Sequence, residues 1–180
     1  PMDYTAGAFD LRPSERPPIT EAMGRHDKRS RIEHTLAKEL SLYVTIYSPI
    51  QMVMDLPENY RARPDAFQFI KDVPADWDKS IALSGEIGEY LVIARKDRNS
   101  DDWYVAAHTN EDARKVDFPV NFLQEGDKYL AQIYRDGDNA DFESKPYDIV
   151  IEEKVVTSDQ TLTFDLGRSG GVAIRFIKQP

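Results

Sequence analysis

The chain of 180 residues contains no cysteine. That absence removes disulfides, thiolate nucleophiles, zinc–cysteine sites and iron–sulfur clusters together. It leaves the compartment open, because a cysteine-free chain is at home in a reducing or an oxidising space. No stretch approaches the roughly 18 unbroken apolar residues of a membrane-spanning helix, so no membrane partner is expected. Basic residues are in deficit, 23 against 32 acidic, for a net charge of −9. A nucleic-acid partner calls for a basic stripe, and an anionic membrane surface for a polybasic patch, so neither is expected. No charged n-region followed by an apolar h-region opens the chain, so no signal peptide is visible. The opening Pro1-Met2 reads as a cut from something longer.

What is present is enough to fold. Hydrophobic residues are 41% of the chain, with 8 Phe and 9 Tyr, too many for a disordered segment. The pattern divides near residue 78. Leu36, Leu40, Tyr43, Val44 and Tyr47 recur at helical spacing and predict a helix over roughly 31–47, with Ser30 as N-cap and Glu33 completing a capping box. Ser48-Pro49 stops it, since the residue before proline is pushed out of the helical region. Ile50–Met54 is a short apolar run ended by Asp55 and predicts a buried strand; Pro64 to Lys71 restarts helix, with Phe67 and Ile70 on one face. Helix, strand, helix is the rhythm of a parallel α/β sheet whose other strands must lie elsewhere.

From residue 79 the period changes to two. Ser80–Leu83, Glu89–Lys96, Trp103–His108, Arg114–Phe118, Lys128–Arg135, Tyr147–Val156, Thr161–Leu166 and Val172–Ile177 are separated by turn signals and predict an antiparallel sandwich or barrel. Thr161–Leu166 alternates cleanly, so one face of its sheet is wet. The expected fold class is therefore α+β: the remnant of a (β/α) barrel over 1–78, then an antiparallel β-sandwich over 79–180.

Chemistry-bearing patterns are few. Asp136-Gly137-Asp138-Asn139-Ala140-Asp141 fails the calcium-loop pattern, which needs an oxygen ligand at position 5 and glycine at 6. It reads instead as a hairpin turn, the glycine supplying positive φ. Trp77, Tyr90, Trp103 and Tyr104 offer rings for stacking a sugar, but aromatics in strands are chiefly core, and Trp103 and Tyr104 point to opposite faces, so at most one is inward. His26, His34 and His108 share no ligand spacing and no nearby carboxylate partner, so neither a metal site nor a triad is expected. Gly85-Glu86-Ile87-Gly88 and Ser169-Gly170-Gly171 open no helix and are not phosphate loops. Asp55 sits at the carboxyl end of the predicted strand, and Asp3 is placed as if it ended another. Carboxyl ends of parallel barrel strands form the active face, which makes Asp3 and Asp55 candidates for one pocket wall.

The same residues carry a resemblance. Met2-Asp3-Tyr4-Thr5, Tyr47-Ser48-Pro49-Ile50-Gln51-Met52, Asp55 and Pro57-Glu58-Asn59-Tyr60 resemble the end of the catalytic barrel of glycoside hydrolase family 97. Phe69-Ile70, Val73-Pro74, Trp77-Asp78, Gly85 to Tyr90, Ala94-Arg95-Lys96, Trp103-Tyr104, Phe122-Leu123 and Asp136 to Asp141 resemble, in order, that family's C-terminal β-domain. The resemblance implies an exo-acting α-glucosidase or α-galactosidase as parent, an α-linked oligosaccharide as substrate, and a β-domain that packs on the barrel and makes a homo-oligomer, with Val150, Val155 and Val156 on an exposed strand face. It also implies calcium in the parent enzyme and a periplasmic or secreted location. The family's catalytic and calcium-binding glutamates lie on earlier barrel segments, so no catalytic residue and no metal ligand is carried over, and no turnover by the chain alone is expected. The alternative is a carbohydrate-binding module using Trp103 or Trp77.

Overall fold

The computed structural model describes residues 5–13 and 31–180. Among the described residues, β1 (Thr5–Ala6), α1 (Leu36–Thr45), β2 (Met52–Val53), α2 (Pro57–Ala62) and α3 (Pro64–Asp72) precede the strands β3 (Trp77–Glu86), β4 (Tyr90–Asp97), β5 (Trp103–Thr109), β6 (Arg114–Pro119), β7 (Tyr129–Asp136), β8 (Ile149–Val156), β9 (Thr161–Leu166) and β10 (Gly171–Lys178). The α+β class and the antiparallel sandwich are as the sequence predicts. One sheet runs β3-β4-β5-β10-β7-β8, and β6 pairs with β9 across it. Burial in β9 alternates residue by residue: Leu162, Phe164 and Leu166 face inward, while Thr161, Thr163 and Asp165 stay wet. They meet Val92, Val105, Ile133, Val172, Ile174 and Phe176 from the larger sheet in one apolar core.

Along β5, β10 and β7 the other face of the large sheet is covered as well. Ala106 and Ala173 present only methyl groups there, so α1 lies close enough that Leu36, Leu40, Tyr43 and Val44 pack with Phe69 of α3, Tyr104 and Tyr134. At Gly171 the approach leaves no room for a side chain, since a Cβ there would sit 2.7 Å from Lys38 Cα. This corrects the expectation that only one of Trp103 and Tyr104 is inward. Both are buried, Trp103 in the sandwich core and Tyr104 beneath the helices. Arg95 on β4 donates from Nε to the Val44 carbonyl at 2.6 Å, meeting the need of a helix C-terminus that has no basic residue in its own last turn.

Three local expectations change. The helix predicted over 31–47 begins at Leu36, with Thr35 as N-cap; Ser30 lies outside the described residues. Thr35 Oγ1 accepts from Lys38 N–H at 3.2 Å and donates to Asp136 Oδ1 at 2.6 Å, so a tertiary partner selects the cap, and Glu33 is left outside the helix. The strand read as buried over 50–54 is reduced to Met52–Val53, and its flanks are open: Ile50 is 67% and Met54 55% exposed. It pairs in parallel with Thr5–Ala6, and no third strand joins them among the described residues. Gly137 does not adopt positive φ. Residues 137–148 form a long loop between β7 and β8, and a Cβ at Gly137 would collide with the Asp148 carboxylate.

Asp136 ends β7 in a buried position where three elements meet. Its Oδ2 accepts from Gly167 N–H and Gly171 N–H, both at 2.9 Å, while Oδ1 holds the Thr35 hydroxyl. Burial pushes its carboxyl up to about 6, against the opposing pull of these donors. Nearby, Ser41 donates its hydroxyl to the Lys38 carbonyl, which leaves its oxygen to accept from His108 Nδ1 at 3.4 Å. Burial, then the charges of Lys38 and His34, hold His108 down at about 4.

Two outcomes follow. Asp136→Ala orphans the buried Gly171 amide, the half-buried Gly167 amide and the cap hydroxyl, and urea unfolding is expected to show a loss on the order of 3 kcal/mol. His108 is neutral when folded and titrates near its ordinary 6.5 when unfolded. Its contribution is therefore whole above about pH 6.5 and is lost progressively as pH falls toward 4. The melting temperature of His108→Asn relative to the unsubstituted chain should rise steadily as pH is lowered through that window; a constant difference refutes the titration.

Candidate functional site

The parallel pair β1–β2 has its carboxyl ends at one rim, where strand-end logic looks for a pocket. Beyond β1 the chain runs through Gly7, Ala8, Phe9 and Asp10, and the amides of all four are held by two carboxylates. Glu39, buried on α1, accepts from Gly7 N–H and from Ala8 N–H at 3.0 Å, and its second oxygen meets His34 Nε2. Asp55, just past β2, accepts through Oδ2 from Phe9 N–H at 2.7 Å and Asp10 N–H at 2.6 Å. Its other oxygen takes Leu56 N–H at 2.7 Å and the Asn59 side-chain amide.

Hydroxyls complete the frame. Tyr60 donates to the Gly7 carbonyl at 2.7 Å and accepts from Asp55 N–H at 2.8 Å, while Tyr43 donates to the Met52 carbonyl at 2.9 Å. Gly7 has φ 94°, and a Cβ there would strike the Tyr43 hydroxyl, so glycine is required on both counts. The segment then docks against the sandwich. Leu11 N–H donates to the Tyr147 hydroxyl at 2.8 Å, and the buried Arg12 guanidinium donates to the carbonyls of Phe142 and Glu143 in the β7–β8 loop.

The electrostatics of Asp55 suit an anchor. Burial alone would raise its carboxyl, but the donors Asp10 N–H, Asn59, Leu56 N–H and Phe9 N–H together hold it below the ordinary value. At neutral pH it is an ionised acceptor with no proton to give, and it shapes the rim. Asp3, the other candidate, lies outside the described residues. Glu39 was not among the candidates, yet a signal was there: position 39 falls on the apolar stripe of residues 36, 40, 43 and 44, where a lone acid needs a partner. His34, read as lacking a carboxylate neighbour, faces Glu39 across the start of the helix, a proximity that helix spacing does not reveal.

Other patterns resolve into structure. Trp77, Trp103 and Tyr104 are each less than a tenth exposed, so the stacking platform built on Trp103 or Trp77 is overturned; a sugar needs a ring face open to solvent. Tyr90 is half-buried with the Arg114 guanidinium 4.7 Å from its ring centre. Among the described residues no group of three or more His, Asp or Glu side chains is placed to hold a metal ion, so the calcium implied by resemblance finds no donor set there. Asp55→Ala is expected to speed hydrogen exchange of the Phe9 and Asp10 amides by more than about tenfold and to cost on the order of 2 kcal/mol in urea unfolding; unchanged exchange at both refutes the anchoring role.

Known proteins share this sequence and fold over nearly the whole chain. The chain is 37% identical to a retaining alpha-galactosidase of Bacteroides thetaiotaomicron over 178 residues, covering 97% of this chain and 25% of that protein. It is 32% identical over 172 residues to a probable retaining alpha-galactosidase of Streptomyces bingchenggensis, covering 96% and 23%. The chain thus spans about a quarter of the length of these curated relatives. A glycoside hydrolase family 97 enzyme from Pseudoalteromonas sp. strain K8, solved in complex with acarbose, superposes with TM-score 0.90 at 48% identity, covering 100% of this chain and 27% of that one. Residues 76–177 match the family described as glycosyl-hydrolase 97 C-terminal, oligomerisation. With a buried rim behind two parallel strand ends, a sandwich packed on it, and that match across more than half its residues, the chain belongs to glycoside hydrolase family 97, as its C-terminal part.

Proposed function

We propose that this chain is the C-terminal part of an exo-acting α-glycosidase, in which residues 1–78 finish the catalytic barrel and residues 79–180 form a β-domain that braces it and self-associates. The observation that carries the reading is likeness over the whole length: retaining alpha-galactosidases at one end of the comparison, and at the other an enzyme solved with panose and with acarbose. The substrate is then an α-linked oligosaccharide, and the rim held by Glu39 and Asp55 is one wall of its pocket, with Asp3 as its neighbour.

Two contacts favour a bracing role for the β-domain. Arg12 and Leu11, just past the rim, are tied to Phe142, Glu143 and Tyr147 of the β7–β8 loop, so the sandwich reaches the strand ends as well as the helices. The calcium of the parent enzyme would be held by segments other than those described, and export to the periplasm or beyond is the location that goes with this reading; cell fractionation tests it.

The decisive assay sets the full-length parent enzyme against nitrophenyl α-galactoside and nitrophenyl α-glucoside in parallel. Release of nitrophenol from one of the two is expected, and none from the 180-residue chain alone. Turnover of neither by the parent enzyme overturns the glycosidase reading, and turnover by the isolated chain overturns the assignment of catalysis to other segments. The sugar that is cleaved distinguishes galactosidase from glucosidase.

A further inference from the structure

The large sheet ends in two edges of unlike quality. β3 is irregular: its pairing with β4 shifts register between Trp77 and Lys79 and again between Ala82 and Ser84. Such bulges turn an edge away from further pairing. β8 runs eight residues in unbroken register with β7 and has no strand on its other side among the described residues. Residues 151–155 are exposed on both faces, Val155 at 54%; Val156, expected on an open face, is buried in the core, and Val150 is half-buried. A regular edge of Ile and Val with free backbone groups is a template for another strand.

We propose that β8 pairs antiparallel with β8 of a second copy about a two-fold axis passing through Glu153, so that the sheet continues across a dimer. The proposal rests on the self-association reading above and supplies its surface. Charge sets the register. A two-fold axis perpendicular to the sheet places residues of equal parity opposite one another, on the same face. Centred on Glu153, Glu152 of each copy faces Lys154 of the other on the sandwich side, where these residues lie opposite Ile133 and Ala131 of β7. On the helix side, Ile151 of each copy faces Val155 of the other.

Moving the centre to residue 152 sets Glu153 against Ile151, and moving it to 154 sets Glu153 against Val155; either shift also loses the Glu152–Lys154 pairs. Glu152 is already oriented by Arg135 Nε at 2.8 Å, whereas Lys154 has no carboxylate partner among the described residues. The one like-charge meeting is Glu153 with itself on the axis, where Gln132 donates to its carboxylate at 2.9 Å.

The absence of native cysteine makes a crosslinking test clean. On the 180-residue chain, Glu153→Cys is expected to form a covalent dimer under mild oxidation, because its copy sits directly opposite, while Glu152→Cys, whose copy is displaced along the strand, does not. In light scattering at micromolar concentration, Glu152→Lys should weaken the dimer more than about tenfold, and adding Lys154→Glu should restore it. If the chain self-associates but neither the crosslink nor the charge swap responds, the edge is overturned while the oligomerisation reading stands. A chain that stays monomeric throughout overturns both.

Discussion

The buried carboxylate of Asp136 is the interaction on which the rest of the molecule depends. It terminates β7, seats the N-cap hydroxyl of α1, and collects two amides from the turn that leads into β10. A carboxylate taken out of water is tolerated only when its lone pairs are matched by donors, and here all three lie at least 31 positions from Asp136 in the chain. The turn contributes through small residues: at Gly170 a Cβ would fall on the Asp136 carboxylate, and Ser169 takes the left-handed φ of 50° that lets the chain wrap it. Ser169 then donates to the Glu33 carbonyl, while its own carbonyl accepts from Thr35 N–H, so the start of the helix is fixed from the sandwich side.

The position of α1 follows from that anchor, and the two-sided burial of the sheet follows from α1. With the helix pressed on Ala106 and Ala173, the large sheet has no wet face along β5 and β10, and its aromatics are consumed in packing on both sides. This is the physical argument against a sugar-binding face on those strands. The same helix carries Glu39, which reaches the amides beyond β1, so the sandwich and the strand-end rim are coupled through one rigid element. Arg12 closes the circuit by returning from the rim to the β7–β8 loop.

Much of this was legible in sequence. All eight sandwich strands could be read as short segments set between turn signals, and β6 and β9, each with one buried face, alternate cleanly. The helix could be read from its stripe, and the family from the order of short motifs. The site was less legible. Asp55 was found because it ends an apolar run, but its role as an anchor depends on four donors, two of which are amides some 45 positions away in the chain. Glu39 and the partnership of His34 were missed because a buried polar pair is visible only once both ends are placed.

By itself the sequence determined the local periodicities, the switch from helix-and-strand to all-strand near residue 78, and the membership of the family. These are properties of neighbouring residues, and neighbouring residues carry them without help. Only the tertiary structure decided where the helix begins, that the large sheet is covered on both faces along β5 and β10, that the strand Met52–Val53 lies open, and which edge of the sheet remains regular. Each of these depends on whether a hydrogen-bonding group or an apolar face finds its partner across the chain, and spacing along the sequence does not contain that information.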